Sequence, residues 1–596
     1  MGIRNRGWAW IAPLGLAALV FAAAATEKPA GGSALVRKAA DDYWKFLETE
    51  SLAIRVREGL PVDRMPDVSF AHSQANAAFG EALLATLAPV AENQLDHEDA
   101  LTLAVLRKEA RQLTEAPGQY WLNFPLTPYI FRNFGVTQVF TSHQFKGKGD
   151  ADHYLSLLAQ YADFIGTLQA RLDEQARRQI VMAREEIPLA AGVFAAAAKE
   201  KEESLFWVKA DRLTALPSEE RDEFQRRLAE AIASRVVPKV RALIADLQGD
   251  YASHAPDAVG LSQYAGGKDY YRALVRRSTT LEVTPEEIHQ TGLAGIARLN
   301  SELDEVRRKV GFAGTFAEFR QSLKTDPRFF PKTPDAVGER LMAMQAKILP
   351  EIPKFFGKTP KAPFGVQRLE PQLEGAVTFG YYQQPTAQDA KGYYKYNGSK
   401  LNERSLLFAG ALISHELVPG HHFQINLQRE NEGLPKFRRE SFYTAYGEGW
   451  GEYASDLTGQ MGMYDEPYDR AGRIAMDLFL TSRLVVDTGM NYDGWPRAKA
   501  IAYMEENTLQ SDAEIDTETL RYSCDMPSQA LAYKMGMRKL VALREKAAKA
   551  LGPAFDIRKF HDAVLGSGSL PLDVLEKHVE WFIAREKPPA SPGRKG

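Results

Sequence analysis

Pro419 interrupts a helix between His415 and His421, and this break restricts the local fold more than any other feature of the sequence. The run 406–413 has a helical pattern and leads into His415. A proline ring clashes with the carbonyl group four residues earlier, here that of His415, and proline has no N–H to donate. A regular helix therefore cannot continue through residue 419, and Gly420 can adopt the backbone angles that a bulge requires.

The residues around this break are those of a metallopeptidase helix. In the standard motif, two histidines four residues apart lie on one helical face, and the glutamate after the first is the general base. Glu416 follows His415, but Pro419 occupies the position of the second histidine. A two-residue bulge would return His421 to that position, whereas His422 would lie about 10.5 Å along an unbroken helix. We therefore predict that His415 and His421 bind a metal, with Glu416 as general base. His422 would support a ligand from behind or face the substrate.

A third metal ligand is predicted downstream. Glu448, Glu452 and Asp456 recur every fourth residue, so a helix would present all three on one face, where they repel one another unless a cation lies opposite. The alternative is a solvated acidic face, but glycines and aromatic residues surround these acids. A catalytic zinc site has three protein ligands and leaves one position for water. We predict one Zn²⁺ per chain with Glu448 as third ligand, and Glu452 as the group that holds a ligand histidine in its tautomer.

Most of the remaining sequence predicts helices. The segment 284–287 has a threonine cap, a proline in the first turn and a glutamate at the capping-box position, and apolar residues then recur at helical spacing up to residue 310. The segment 333–335 opens a second helix in the same way. Helical spacing also covers the stretches 36–58, 151–185, 218–247 and 527–550.

Two aromatic, β-branched segments, 375–382 and 392–397, predict a β-hairpin or two strands of a small sheet just before the histidine segment. An edge strand beside a cleft can bind an extended peptide through backbone hydrogen bonds. We therefore name Tyr382 and Tyr394 as substrate-binding candidates. A hairpin that only covers the core is equally compatible with the sequence.

The N-terminus predicts a targeting signal. Arg4 and Arg6 precede an apolar stretch that ends in three alanines at 23–25, the pattern of a cleaved secretory signal peptide over residues 1–25. An uncleaved membrane anchor is the less favoured alternative. We expect a secreted or periplasmic protein without membrane contact after cleavage. We divide it into an N-terminal helical part at 26–265, a catalytic part at 266–587 and a flexible tail at 588–596.

Charge and cysteine content exclude other classes of function. The net charge of −3 gives no electrostatic argument for nucleic-acid binding. Cys524 is the only cysteine, so no internal disulfide can form. The local motifs that mark a nucleophilic cysteine are missing around it, which disfavours thiol catalysis.

Three ordered motifs resemble a known family: HELVPGHH at 415–422, EGWGEY at 448–453 and PSQALAYKMG at 527–536. They resemble a large bacterial family of predicted metallopeptidases catalogued as domain of unknown function 885. That family is similar in turn to angiotensin-converting enzyme and thermostable carboxypeptidases, which have HExGH where this chain has HELVPGH. The resemblance covers most of the mature chain. It implies a mainly α, two-lobed zinc-peptidase-like fold with a deep cleft, and it too assigns His421 as the second ligand.

The expected activity is zinc-dependent hydrolysis of short peptides. Tyr533 and Arg521 are candidates for stabilising the oxyanion, because related helical peptidases have a tyrosine there and arginine can bind a carboxylate through two hydrogen bonds. A core aromatic residue is the equally supported alternative for Tyr533. The other hypotheses are a hydrolase of a non-peptide amide and a catalytically silent peptide-binding protein. Glu416 favours an enzyme, because a binding protein needs no general base.

Overall fold

The structure, a computed structural model, describes residues 31–371, 374, 379–386 and 389–588. The predicted signal segment, and all of the predicted tail except residue 588, lie outside these ranges. Within the described ranges, no helix is both long and apolar enough to cross a membrane.

Ten α-helices precede residue 265 in the described ranges. They are α1 (Gly32–Glu50), α2 (Leu52–Arg57), α3 (Phe70–Leu87), α4 (His97–Gln119), α5 (Pro128–Asn133), α6 (Val136–Ser142), α7 (Lys148–Arg177), α8 (Ile187–Gly192), α9 (Ser218–Ala231) and α10 (Val237–Asp246). Single π-helical turns at 232–236 and 247–251 continue α9 and α10.

Fifteen further α-helices follow in the described ranges. They are α11 (Gly267–Thr279), α12 (Pro285–Lys309), α13 (Phe316–Thr325), α14 (Pro334–Ile348), α15 (Ile352–Phe355), α16 (Ala409–Glu416), α17 (His421–Arg429), α18 (Lys436–Glu440), α19 (Thr444–Leu457), α20 (Pro467–Asn491), α21 (Arg497–Asn507), α22 (Asp512–Leu520), α23 (Ala532–Leu551), α24 (Ile557–Gly566) and α25 (Leu572–Glu586).

A small sheet lies between α15 and α16 in the chain. Its strands are β1 (Phe364–Arg368), β2 (Gly380–Gln383) and β3 (Gly392–Tyr396). The central strand β3 pairs in parallel with β1 and antiparallel with β2, so one edge of β2 faces away from the sheet. The predicted mainly α fold with a small sheet is confirmed. The strand β1 was not predicted because it has only one aromatic and one β-branched residue, Phe364 and Val366, whereas tyrosines marked β2 and β3.

The helix starts predicted from capping residues are confirmed. Thr284 accepts a hydrogen bond from the N–H of Glu287, and the Glu287 carboxylate accepts one from the N–H of Thr284. Thr333 caps α14. These side chains satisfy N–H groups that have no partner within the first helical turn.

Three predicted helical stretches are shorter or divided in the structure. The α-helix of the stretch 151–185 ends at Arg177. The stretch 36–58 is interrupted at Ser51, whose side chain caps α2. The stretch 527–550 begins with a 3₁₀ turn, and its α-helix starts only at Ala532. Tyr533 therefore lies in the first turn of α23.

Two large hydrophobic cores organise the described residues. The first joins α1, α3 and α4 to α14, α16–α19, α23–α25 and β3. The second is formed mainly by α5–α11. Neither core is confined to one side of residue 265. The helices that carry the predicted metal ligands, α16, α17 and α19, all pack on the first core.

Candidate metal centre

Helix α16 ends at Glu416, before the break that Pro419 predicts. A Cβ atom on Gly420 would lie 1.8 Å from the carbonyl oxygen of His415, so the chain can turn here only because residue 420 is glycine. Helix α17 then begins at His421. The ring centroids of His415 and His421 lie 4.6 Å apart, so the bulge brings the two histidines together across the break.

Glu448 on α19 completes a group of three potential metal ligands. Its Oε2 atom lies 3.3 Å from Nε2 of His415 and 3.3 Å from Nε2 of His421. Bonds of about 2.1 Å to a tetrahedral zinc ion separate two ligand atoms by about 3.4 Å. Among the described residues, this is the one group of three or more such side chains whose ligand atoms all lie within 4.8 Å of one another. The donor types and their spacing fit a zinc ion.

Glycines on α19 allow the close approach of the surrounding helices. A Cβ atom on Gly451 would lie 2.7 Å from the ring of His415, and one on Gly449 would lie 2.5 Å from the backbone of Gly536 on α23. A glycine within a helix costs about 1 kcal/mol relative to alanine. Gly449 and Gly451 carry this cost, but they let α19 pack closely against α16 and α23, which holds Glu448 between these two helices.

The three ligand side chains are strongly coupled electrostatically. Burial lowers the pKa of His415, but its hydrogen bonds with Glu448 and Glu452 outweigh this effect and raise the pKa to about 10. Burial raises the pKa of Glu448, but the charges and hydrogen bonds of the two histidines hold it well below its usual range. Because metal ligands must be deprotonated, a cation has to compete with the proton on His415.

A buried chain of charges supports His415 from behind. Its Nδ1 atom lies 2.9 Å from Oε1 of Glu452, whose Oε2 atom lies 3.0 Å from Nη1 of Arg473. Asp477 lies 3.5 Å from Nη2 of Arg473 and accepts a hydrogen bond from Lys534. All five side chains are buried. Buried charges of this kind persist only when they are paired. The Glu452 contact at Nδ1 leaves the Nε2 atom of His415 directed at Glu448.

Glu416 is half-buried beside the three ligands. Burial raises the pKa of its carboxyl group, although the charges of His421 and His415 oppose the shift. The backbone of Tyr382 also opposes the shift in pKa. Tyr382 on β2 and Glu416 line the same cleft.

His422 lies behind the cleft wall rather than on it. The side chain is fully buried, with Nδ1 2.9 Å from the hydroxyl of Tyr382 and Nε2 3.0 Å from the carbonyl oxygen of Ala362. Burial lowers its pKa to about 4, so the ring is neutral at pH 7. In this structure His422 positions Tyr382 and does not face a substrate.

Half-buried Tyr533 and buried Tyr394 both reach the cleft. The ring of Tyr533 is stacked on that of His415, with centroids 6.0 Å apart, and burial raises its pKa to about 12. Its hydroxyl is therefore protonated and able to donate at neutral pH. Tyr394 is 1% exposed and belongs to the first core, and its hydroxyl has no hydrogen-bond partner among the described residues.

Two arginines stand together in the cleft wall. Nη2 of Arg483 lies 2.9 Å from Oε2 of Glu518, and Nη1 of Arg521 lies 3.3 Å from Oε1 of the same carboxylate. Arg521 also donates to Oε1 of Gln529 at 2.5 Å, and its guanidinium lies 5.2 Å from the centre of the Tyr129 ring. Two guanidinium groups thus share one carboxylate, which leaves one positive charge.

These groups line a single cleft with a volume of about 580 Å³. The predicted site residues that line it are His415, Glu416, His421, Glu448, Glu452, Tyr382, Tyr394, Arg521 and Tyr533. The cleft thus brings together the predicted ligands, the predicted base and both groups predicted to stabilise the oxyanion. Of the predicted site residues, His422 is the exception.

Comparison with protein families identifies the chain. The family described as bacterial protein of unknown function, DUF885, matches residues 54–579. The chain belongs to the DUF885 family. No curated protein matches it.

Two solved structures resemble the DUF885 chain. One, described as a putative lipoprotein from Colwellia psychrerythraea, is 24% identical with a TM-score of 0.81, and the similarity covers 93% of this chain and 99% of that chain. The other, a putative lipoprotein of unknown function from Shewanella oneidensis, is 18% identical with a TM-score of 0.69, covering 92% of this chain and 99% of that chain. At these identities the likeness shows a shared fold.

Sequence analysis missed three charged residues around the site of this DUF885 chain, Arg483 in the cleft wall and Arg473 and Asp477 behind His415. Arg473, Asp477 and Arg483 all lie on α20, which is buried on every side from residue 478 to residue 491. A helix buried all round is normally apolar, so isolated charges within it require partners. Charged residues within the mostly apolar run 471–490 were therefore the signal from which these three residues could have been found.

Proposed function

We propose that this DUF885 protein is a zinc-dependent peptidase that hydrolyses short peptides. The observation that supports it most strongly is the convergence of His415, His421 and Glu448 beside Glu416. When bound, Zn²⁺ would lower the pKa of a water molecule and polarise the scissile carbonyl group. His415, His421 and Glu448 would hold the ion.

Glu416 would carry the proton in this reaction. Its carboxylate would accept a proton from the attacking water and deliver it to the leaving amine, and its raised pKa suits both transfers. Tyr533, whose hydroxyl remains protonated at neutral pH, would donate a hydrogen bond to the oxyanion. Loss of one such donor typically lowers the rate by about 10²–10³.

The two walls of the cleft suit a peptide with a free C-terminus. The unpaired edge of β2 can bind an extended backbone. Arg483 and Arg521 would bind the terminal carboxylate, because both line the cleft and share only one carboxylate, that of Glu518. A cleft of this size favours short peptides over folded proteins.

An extracytoplasmic location fits this activity. The proposed signal at 1–25 would direct the chain to the periplasm or out of the cell. The two similar solved proteins are both described as putative lipoproteins, a class found outside the cytoplasm.

The test is hydrolysis of a mixed library of synthetic peptides by the purified protein, followed by mass spectrometry. We expect cleavage by the zinc-loaded protein, loss of cleavage after chelation, and recovery when zinc is added back. Cleavage that survives full removal of metal would contradict the proposal. Binding of peptides without cleavage would instead support a silent binding protein, and cleavage of non-peptide amides alone would support the other hydrolase.

A further inference from the structure

A second chamber of about 460 Å³ adjoins the metal cleft. The two cavities share a wall formed by Tyr381, Tyr382, Ile425 and Phe442. Tyr381 and Phe442 are 44% and 48% exposed, so two aromatic side chains lie open where the cavities meet. We call the region where the two cavities meet the passage. The ring of Phe442 lies 6.4 Å from that of His421, so the passage begins next to the candidate metal site.

The lining of the second chamber carries an excess of positive charge. Arg57, Arg429 and Arg439 line it together with one acid, Glu440. The carboxylate of Glu440 lies 3.0 Å from Nη2 of Arg57 and 3.5 Å from Nε of Arg429. The Nε atom of Arg439 is buried and has no hydrogen-bond partner among the described residues. Arg57 also lies 3.6 Å from the carboxylate of Glu58, outside the lining. The lining itself, with three guanidinium groups and one carboxylate, keeps a net positive charge.

The strand β2 fixes which end of a peptide would enter this chamber. Gly380, at the start of β2, lines the metal cleft, and Gln383, at its end, lines the second chamber. Tyr382 between them lines both cavities. A peptide whose terminal carboxylate lies at Arg521 in the metal cleft would therefore run antiparallel to β2. Its N-terminal part would cross the passage into the second chamber.

We propose that Arg57, Arg429 and Arg439 bind an acidic side chain on the N-terminal side of the scissile bond. This inference rests on the peptidase function proposed above. Hydrogen bonds between guanidinium and carboxylate groups are stronger than those to neutral amides. Peptides with glutamate at this position are preferred about tenfold over their glutamine counterparts, and the preference decreases as salt screens the charges.

The test uses hexapeptides in which one glutamate is moved through each position, each paired with the same peptide containing glutamine. Binding is measured by calorimetry on the zinc-loaded Glu416→Gln protein, so that no peptide is cleaved during the measurement. Cleavage rates and cut positions are measured separately with wild type. The calorimetric measurement reports on the second chamber even if wild type hydrolyses none of the peptides.

Three variants give the comparison its specificity. Arg439→Gln reduces the preference for glutamate, and Arg439→Glu abolishes it, because two guanidinium groups then face two carboxylates in the lining. Arg241→Gln is the matched control, because Arg241 is an exposed arginine on α10 that pairs with Glu200. It leaves the preference unchanged.

Failure of this inference and failure of the proposed function give different results. Equal binding of the glutamate and glutamine peptides, or a preference that persists in Arg439→Glu, overturns the acidic subsite whether or not peptides are cleaved. A preference for glutamate in binding, without cleavage by the zinc-loaded wild type, supports the subsite and contradicts the peptidase function.

Discussion

The Nδ1 atom of His415 lies 2.9 Å from the Oε1 atom of Glu452 within a fully buried environment. Arg473 pairs with the other oxygen of the same carboxylate. Arg473 therefore holds one carboxylate oxygen of Glu452, and the other oxygen orients the ring of His415. The position of the His415 Nε2 atom thus depends in part on Arg473, which does not line the cleft.

Replacing Glu452 with glutamine should weaken zinc binding by about 10- to 100-fold, because groups that orient a ligand histidine typically contribute that much. The dissociation constant can be measured by competition with a fluorescent chelator. Glu219→Gln is the control, since Glu219 is exposed on α9. Equal zinc affinity in wild type and Glu452→Gln would show that the contact is only structural.

The two adjacent histidines should behave differently. His421→Ala should remove zinc, because His421 lies 3.3 Å from Glu448. His422→Ala should leave zinc bound and disturb only the position of Tyr382, with which it shares a hydrogen bond. Elemental analysis of both purified variants decides the question. Zinc loss in His422→Ala but not in His421→Ala would show that His422, and not His421, binds the metal.

Recognition of the C-terminus should depend on the paired arginines. Wild type should hydrolyse a short peptide more than about tenfold faster than its C-terminal amide, since the amide lacks the charge that guanidinium groups bind. Arg521→Met should lose most of this discrimination. The measurement is kcat/KM for both peptides with both proteins. Equal discrimination in the two proteins would mean that Arg521 has a structural role.

The sequence predicted that His415, His421 and Glu448 come together, as the structure shows, because the signals for these residues are local. The effect of Pro419 on the helix and the short spacing of His415 and His421 follow from backbone geometry, and Glu448 follows from periodicity on one helix. Arg473 and Arg483 could not be assigned in this way. Their partners, Glu452 and Glu518, lie on other helices, and only the packing of α20 against α19 and α22 brings them together.

The fold shows the same division between local and distant information. Capping residues predicted the starts of α12 and α14, because caps act within one turn. The packing of α1, α3 and α4 against helices from the end of the chain left no mark in local periodicity. The parallel pairing of β1 with β3 is likewise a contact between segments separated in sequence.

Acid should destabilise the protein through buried His561. Its ring contacts the hydroxyl of Tyr453 and the carbonyl oxygen of Phe355, and burial lowers its pKa to about 3. The unfolded chain binds a proton near pH 6.5 and the folded chain does not, so stability is full above this pH and falls as the pH decreases towards 3. The expected loss from this group is about 2 kcal/mol between pH 6.5 and 5.

Thermal unfolding at pH 7.5, 6 and 5 tests this effect. His561→Gln should be less stable than wild type at pH 7.5 but should show a smaller decrease in Tm as the pH is lowered. The control is His254→Gln, because His254 is exposed and its removal should leave the pH dependence unchanged. An identical decrease in Tm for wild type and His561→Gln would rule out His561 as the source.

The most direct test of the central claim is the zinc content and hydrolytic rate of Glu416→Gln. The amide cannot accept the proton of the attacking water, so hydrolysis of a peptide cleaved by wild type should fall by about 10²–10⁴. Zinc should remain at about one ion per chain, because the three proposed ligands are unchanged. A zinc-loaded Glu416→Gln protein that hydrolyses the peptide at nearly the wild-type rate would contradict the account.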